Sequence, residues 1–185
     1  MKPEHDVVLD TERLRLVPVA HEHAAELAAV IGHPAISETT SHIPYPYTER
    51  DAHDFVDKVR SSDGGLTAWL VFDRAHGVLV GGCGLHGFED GGCLFGYWVG
   101  VEHWGCGIAT ESMGRLLDYA FGALGLERAG ACYFVKNPAS RRVMEKLGLQ
   151  GVPGQGRETC ATCVDGREEP IAWMSITREA WLGRG

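Results

Sequence analysis

The sequence predicts an α+β fold, a mixed and mostly antiparallel central sheet with helices on both faces. Three observations carry this. Three extended segments follow one another with only short turns between them, the pattern of an antiparallel meander. Helical segments precede and follow that block instead of alternating with each strand, which argues against a run of βαβ units. The 185 residues, 44% apolar and 23% charged, fit one well-cored domain over residues 1–185.

Each element has its own signal. Residues 11–19 alternate Leu14 and Leu16 with Arg13 and Arg15, a first strand. Residues 20–31 set Ala20, Ala24, Leu27, Ala28 and Ile31 on one helical face. Pro34, Pro44 and Pro46 interrupt residues 34–47, a short helix or irregular loop. Thr48, with Asp51 three residues on, is an N-cap, and the helix behind it buries Ala52, Phe55, Val56 and Val59. The meander strands span residues 67–72, 78–86 and 93–101, parted by turns at Ala75-His76-Gly77 and Glu89-Asp90-Gly91-Gly92. A long helix then places Ala109, Met113, Leu116, Leu117, Ala120, Phe121 and Leu124 at helical spacing and stops at Gly125. A strand over 128–135 leads to a helix with Asn137 as N-cap and Pro138 at its first position, ended by Gly148. Its inner face is Val143, Met144 and Leu147, and strands over 158–164 and 170–176 close the chain around Asp165-Gly166.

Composition excludes several classes. No apolar run approaches the ~20 residues of a membrane span. The polar N-terminus lacks a signal-peptide core, so a cytoplasmic location is expected. A formal net charge of -8 argues against a nucleic-acid binder and is compatible with an amine-bearing partner. Cys83, Cys93, Cys106, Cys132, Cys160 and Cys163 are expected to be reduced thiols. Cys160 and Cys163 have zinc or redox spacing, but an offset of three puts them on opposite sides of a strand, so no metal site is expected.

The sharpest feature is a strand that runs through Trp104-Gly105-Cys106-Gly107-Ile108-Ala109 directly into the long helix. Gly105 and Gly107 allow a tight turn and the close approach of an anion. The first-turn amides of the helix have no intrahelical acceptor, and the helix dipole adds positive charge there. Together they suit a phosphate or pyrophosphate, the plain alternative being a tight strand-to-helix turn. The second feature is the capped amphipathic helix from Asn137 to Gly148.

These two elements in this order resemble the GNAT (general N-acetyltransferase) superfamily. Trp104 stands where the family's phosphate loop has Gln or Arg, and Gly107 and Ala109 match its small positions. Gly96-Tyr97-Trp98, the Ala109-Thr110-Glu111 run, the opening Thr11-Glu12-Arg13-Leu14-Arg15-Leu16 and the closing Ser175-Ile176-Thr177-Arg178-Glu179 are similar to the branch that acetylates N-termini of ribosomal proteins. The likeness covers about residues 10–180.

The resemblance implies acetyl-CoA as cofactor, inserted between the strands over 93–101 and 128–135, and an amine substrate. Charge and the lack of a long apolar run lead to the expectation of no nucleic acid or membrane partner, and the chain is expected to be a monomer or homodimer. The thioester would lie near Tyr97, Trp98 and Val99, where a backbone N–H can stabilise an oxyanion. Trp104, Gly105, Cys106, Gly107, Ile108, Ala109 and Thr110 would cradle the pyrophosphate, and Asn137 would bond the pantetheine arm. Lys136, Arg141 and Arg142 are candidates for the outer phosphate.

Many relatives place a proton-donating Tyr where this chain has Met144, and a Glu where it has Leu94. Ser140 is therefore the expected acid and His86 the candidate base, with Glu89 nearby. Glu38, Tyr45, His86 and Glu89 are substrate-binding candidates. Residues 31–50 and the loops at 86–92 and 150–158 would shape the acceptor side. The missing Tyr and Glu leave open a catalytically weak acyl-CoA-binding sensor or interaction module. Within the enzyme class, an antibiotic-modifying acetyltransferase is an alternative.

Overall fold

In the computed structural model, residues 6–152 and 159–184 are described, so the loop at 153–158 and the start of the strand expected over 158–164 lie outside the described residues. The chain runs β1 (Leu9–Asp10), β2 (Leu14–Pro18), α1 (Ala24–Ile31), α2 (Pro34–Ser37), α3 (Glu49–Ser61), β3 (Leu66–Asp73), β4 (Leu79–Glu89) and β5 (Gly92–Val99). It continues through α4 (Ile108–Asp118), β6 (Arg128–Phe134), α5 (Pro138–Lys146), β7 (Gln150–Gly151), β8 (Thr159–Thr162), β9 (Glu168–Thr177) and α6 (Arg178–Leu182). The strands form one sheet in the order β1-β2-β3-β4-β5-β6-β9-β7, with β8 paired to β9. All neighbours are antiparallel except β5 and β6.

Strand alternation divides the core between the two faces. Trp69 and Val71 of β3 pack with Leu14, Leu16, Leu85 and Phe95 beneath Met113, Leu116, Leu117 and Phe121 of α4 and its continuation. The intervening Ala68 and Leu70 pack on the other face with Leu27 and Ile31 of α1 and Val56 and Val59 of α3. The expected N-cap of α3 is a reciprocal capping box. The Asp51 amide donates to the Thr48 hydroxyl at 3.3 Å, and the Thr48 amide donates to the Asp51 carboxylate at 2.8 Å.

Several boundaries differ from the sequence expectation. The helix over 20–31 opens as a 3₁₀ turn at His21–His23, and β5 ends at Val99 before a second 3₁₀ turn at Val101–His103. Phe55 and Val143 are half-buried rather than buried. β1, β7 and α6 have no counterpart in the expectation, since two-residue strands and a single helical turn are too short to show a period. Among the described residues no helix is long and apolar enough to cross a membrane.

The feature that positions the site is the parallel pair. β5 and β6 pair only at Gly92↔Arg128, Cys93↔Ala129 and Leu94↔Gly130 and then separate. Beyond Leu94 the sheet is split, and the gap opens toward the N-terminus of α4.

Candidate active site

The split is lined on one side by Tyr97, Trp98 and Val99 of β5 and on the other by Asn137, Ala139, Ser140, Arg142, Val143 and Lys146 around α5. With the loop before α4 it encloses about 330 Å³. Backbone direction along β5 follows from its register. The Gly100 amide donates to Val80 O at 2.9 Å, and Trp98 faces Gly82 in the same ladder. Antiparallel pairing alternates, so Tyr97 and Val99 turn their N–H and C=O groups away from β4 and into the split. The Trp104 indole N–H donates to Val99 O at 2.8 Å, which leaves the Tyr97 and Val99 amides aimed at the groove.

At the wide end of the groove, Gly105 and Gly107 adopt φ of 77° and 81°, a left-handed backbone that disfavours any side chain. Gly107 caps α4 without a side-chain bond, so the first-turn amides face the cavity beside Trp104, Gly105, Ile108, Ala109 and Thr110. Cys106 differs from its expected place. It does not line the cavity; its carbonyl turns outward and accepts from both terminal nitrogens of Arg13, at 3.2 and 3.3 Å. Arg13 also grips Glu111 through Nε at 2.7 Å, and the Thr11 hydroxyl donates to the same carboxylate at 2.5 Å. Burial pushes the Glu111 carboxyl up, but the Thr11 and Arg13 hydrogen bonds outweigh it and hold the pKa below the ordinary value.

In α5, Asn137 Oδ1 accepts the Ser140 amide at 3.1 Å as the N-cap, so only the NH₂ end of its side chain is left for a ligand. The Ser140 hydroxyl lies 2.9 Å from the Tyr97 phenol, a contact between β5 and α5 across the groove. Burial raises the Tyr97 pKa, and the Ser140 hydrogen bond lowers it only in part, so the phenol stays protonated at neutral pH. The basic candidates separate. Arg142 lines the cavity, whereas Lys136 is paired with Glu169 and Arg141 with Glu145. Lys146 and His103 line the cavity without having been expected.

The acceptor-side candidates are scattered. Ile36, Thr39 and Thr40 reach the cavity, while Glu38 between them is exposed at the end of α2 and Tyr45 is 58% exposed. Both point outward because the inward positions of this segment are taken by its apolar and hydroxyl side chains. Glu89 pairs with Gly92 at the closed end of the hairpin, roughly 16 Å along β5 from Tyr97, and does not line the cavity. His86 faces Leu94, roughly 10 Å from Tyr97, and does not line the cavity either. It is exposed, yet the surrounding protein, and then the charges of His42 and Lys58, hold its pKa below the usual histidine value. It shares the α1/α3 face with Gly84, cross-strand from Gly96, where a Cβ would meet nothing within 4 Å. Gly96 is the open position of this pair, and it immediately precedes Tyr97, which lines the groove. The segment above it is tied down when Val164 N donates to Ser41 O at 2.9 Å and Arg167 donates to Ser37 O at 3.5 Å.

Residues 13–150, which carry the split sheet and the loop at its mouth, match the family model of the acetyltransferase (GNAT) domain. The chain belongs to the GNAT family. It is an N-acetyltransferase of the acetyl-CoA-dependent kind. GNAT relatives include the FsC-acetyl coenzyme A-N(2)-transacetylase of Aspergillus fumigatus, 32% identical over 94% of this chain and 77% of that protein. Among solved GNAT structures, Mycobacterium smegmatis RimJ in complex with CoA-disulfide superposes with TM-score 0.82 at 21% identity, covering 97% of this chain and 91% of that one. The ribosomal-protein-S5-alanine acetyltransferase of Vibrio fischeri gives TM-score 0.81 at 17% identity, over 95% and 99%. The GNAT cofactor fits the residues present. The φ of Gly105 and Gly107 keeps the loop free of side chains, and the amides of Tyr97 and Val99 present a strand edge to an extended arm.

Proposed function

We propose that the chain transfers acetyl from acetyl-CoA directly to a primary amine that approaches over the open face at Gly96, in a ternary complex with both substrates bound. Bound acetyl-CoA supplies the activated thioester. The loop from Trp104 to Thr110 holds the diphosphate, Arg142 an outer phosphate, and the Tyr97 and Val99 amides and Asn137 the pantetheine arm. His86, kept neutral by its surroundings, receives the amine proton through bridging water. Ser140 gives its proton to the departing thiolate and recovers one through the Tyr97 hydroxyl, which takes a proton from water in the same relay and so stays neutral. The new bond is N–C, the broken bond is C–S, and one proton leaves nitrogen as another reaches sulfur.

The observation that carries this reading is the 2.9 Å contact between the Ser140 and Tyr97 hydroxyls inside the split. It provides a proton donor where Met144 cannot, and so favours turnover over a cofactor-sensing module. Two acceptor classes follow from the relatives' names: a small molecule carrying an N(2) amine, and a protein N-terminus such as alanine. Thiol release from acetyl-CoA against a panel of small primary amines and Ala- or Ser-initiated peptides tests both. Release with no amine faster than with water would support the sensor instead and overturn the proposal.

A further inference from the structure

We infer that Arg13, on the segment entering β2, is a positioning residue for diphosphate binding, which it serves by fixing the orientation of the Cys106–Gly107 peptide. The inference rests on the acetyl-CoA reading of the groove and adds a residue from the opposite end of the chain.

The argument starts from peptide geometry. A trans peptide is planar, with its C=O and N–H pointing in opposite directions. Arg13 holds Cys106 O with both Nη1, at 3.2 Å, and Nη2, at 3.3 Å, from outside the loop. The Gly107 N–H is thereby aimed the other way, toward the cavity that Gly107 lines. The guanidinium also backs the turn itself, since a Cβ on Gly107 would meet Arg13 Nη2 at 3.4 Å. Flanked by two left-handed glycines and exposed, this peptide would otherwise be free to flip, and the flipped form would present a carbonyl to the diphosphate.

Arg13 is itself held in place. Its Nε and Nη2 bind Glu111 Oε2 at 2.7 and 2.6 Å, its backbone N–H donates to Oε1 at 3.0 Å, and the Thr11 hydroxyl donates to that same oxygen. Glu111 lies in the first turn of α4, so its carboxylate would oppose an incoming diphosphate if left unpaired. The fork of one guanidinium answers both needs: it neutralises Glu111 and turns the carbonyl. A lysine offers the charge without the fork.

The test compares acetyl-CoA with S-acetylpantetheine, a donor that has the same thioester and no diphosphate. Each is assayed with the best amine of the wild-type panel, and CoA binding is followed by calorimetry. For Arg13→Lys and Arg13→Gln, the ratio of kcat/KM for acetyl-CoA to that for S-acetylpantetheine should fall by about tenfold or more, the scale of lost charge-assisted hydrogen bonds. CoA affinity should fall with it. The double variant Arg13→Gln/Glu111→Gln should stay impaired, because removing the opposing charge does not restore the carbonyl's orientation. Recovery in the double variant would reduce Arg13 to a charge partner and overturn the inference. A parallel loss for both donors would make its role structural, and an unchanged ratio would make it irrelevant; each overturns the inference. If the wild type accepts no amine, the acetyl-transfer reading fails. CoA calorimetry on Arg13→Lys still decides this one, with equal affinity counting against it.

Discussion

The two halves of the groove are built by different means. The half proposed for the acetyl donor is made of backbone: left-handed glycines, the first-turn amides of α4, and the alternate amides of β5. Its identity depends on a short contiguous run, residues 104–110, and on one capped helix. The half proposed for the acceptor draws on side chains and ties from α2 and the β8–β9 turn, with β4 beside it, residues far apart in the chain. A backbone site tolerates wide sequence change and binds one invariant ligand; a side-chain site can be rebuilt for each acceptor. The names of the relatives differ in the acceptor they give, an N(2) group in one and a ribosomal-protein alanine in another.

The comparison breaks most visibly at Gly107. Gly107→Val should abolish saturable acetyl-CoA binding, because its Cβ enters a loop that has φ of 81° and lies against Arg13. The strain of about 1–2 kcal/mol should cost only about 2–8 °C in Tm. Calorimetry beside a thermal melt checks this, and equal losses in both would make the glycine purely structural.

Next in size is Ser140→Ala, which should lower kcat by about 10- to 1000-fold while cofactor affinity changes little, since the Asn137 cap uses the backbone of residue 140. Stopped-assay kcat and a CoA titration separate the two. A matching loss of affinity would move Ser140 from chemistry to binding.

His86→Gln should slow the reaction by about tenfold or more and remove the acidic limb of the pH–rate profile. The sign follows from the shift: the desolvating protein around it, then His42 and Lys58, lower the His86 pKa, so the neutral base persists below the usual histidine range and is lost only at lower pH. An acidic limb that survives in the variant belongs to another group. Combining His86→Gln with Ser140→Ala sharpens the result. Groups serving one transition state give a double variant little worse than the poorer single, whereas independent effects multiply.

The smallest expected change is at Arg167. Arg167→Ala removes a long 3.5 Å tie to Ser37 O and should raise the acceptor KM about two- to threefold, with the acetyl-CoA KM unmoved. A shift in the cofactor KM would show that the two halves are not separable.

The geometry of the half proposed for the donor is legible in the sequence because its determinants are local. Glycines before a periodic helix, and Asn-Pro before another, announce their geometry within a few residues, as do the long strands of the meander. Contacts that depend on tertiary closure left no such mark. Tyr97 and Ser140 meet across 43 positions, and Arg13 reaches Cys106 across 93. The acceptor segment is less legible for a related reason: proline-broken irregular chain has no period, so chemistry alone singles out Glu38 and Tyr45, while Ile36, Thr39 and Thr40 face the cavity. Lys136 and Arg141 matched a phosphate ligand by type, yet both are already paired with glutamates.

The three-pair junction of β5 and β6 has a consequence for solvent exchange. In the cofactor-free protein, amide hydrogens along β5 beyond Leu94 should trade with deuterium in an every-other-residue rhythm. Gly96 and Trp98, bonded into β4, would be slow, while Tyr97 and Val99, aimed into the split, would be fast. Addition of CoA should erase that rhythm by protecting the fast members alone. A strand whose two edges exchange at different rates is then a direct readout of the cofactor taking the place of a missing neighbour in the sheet.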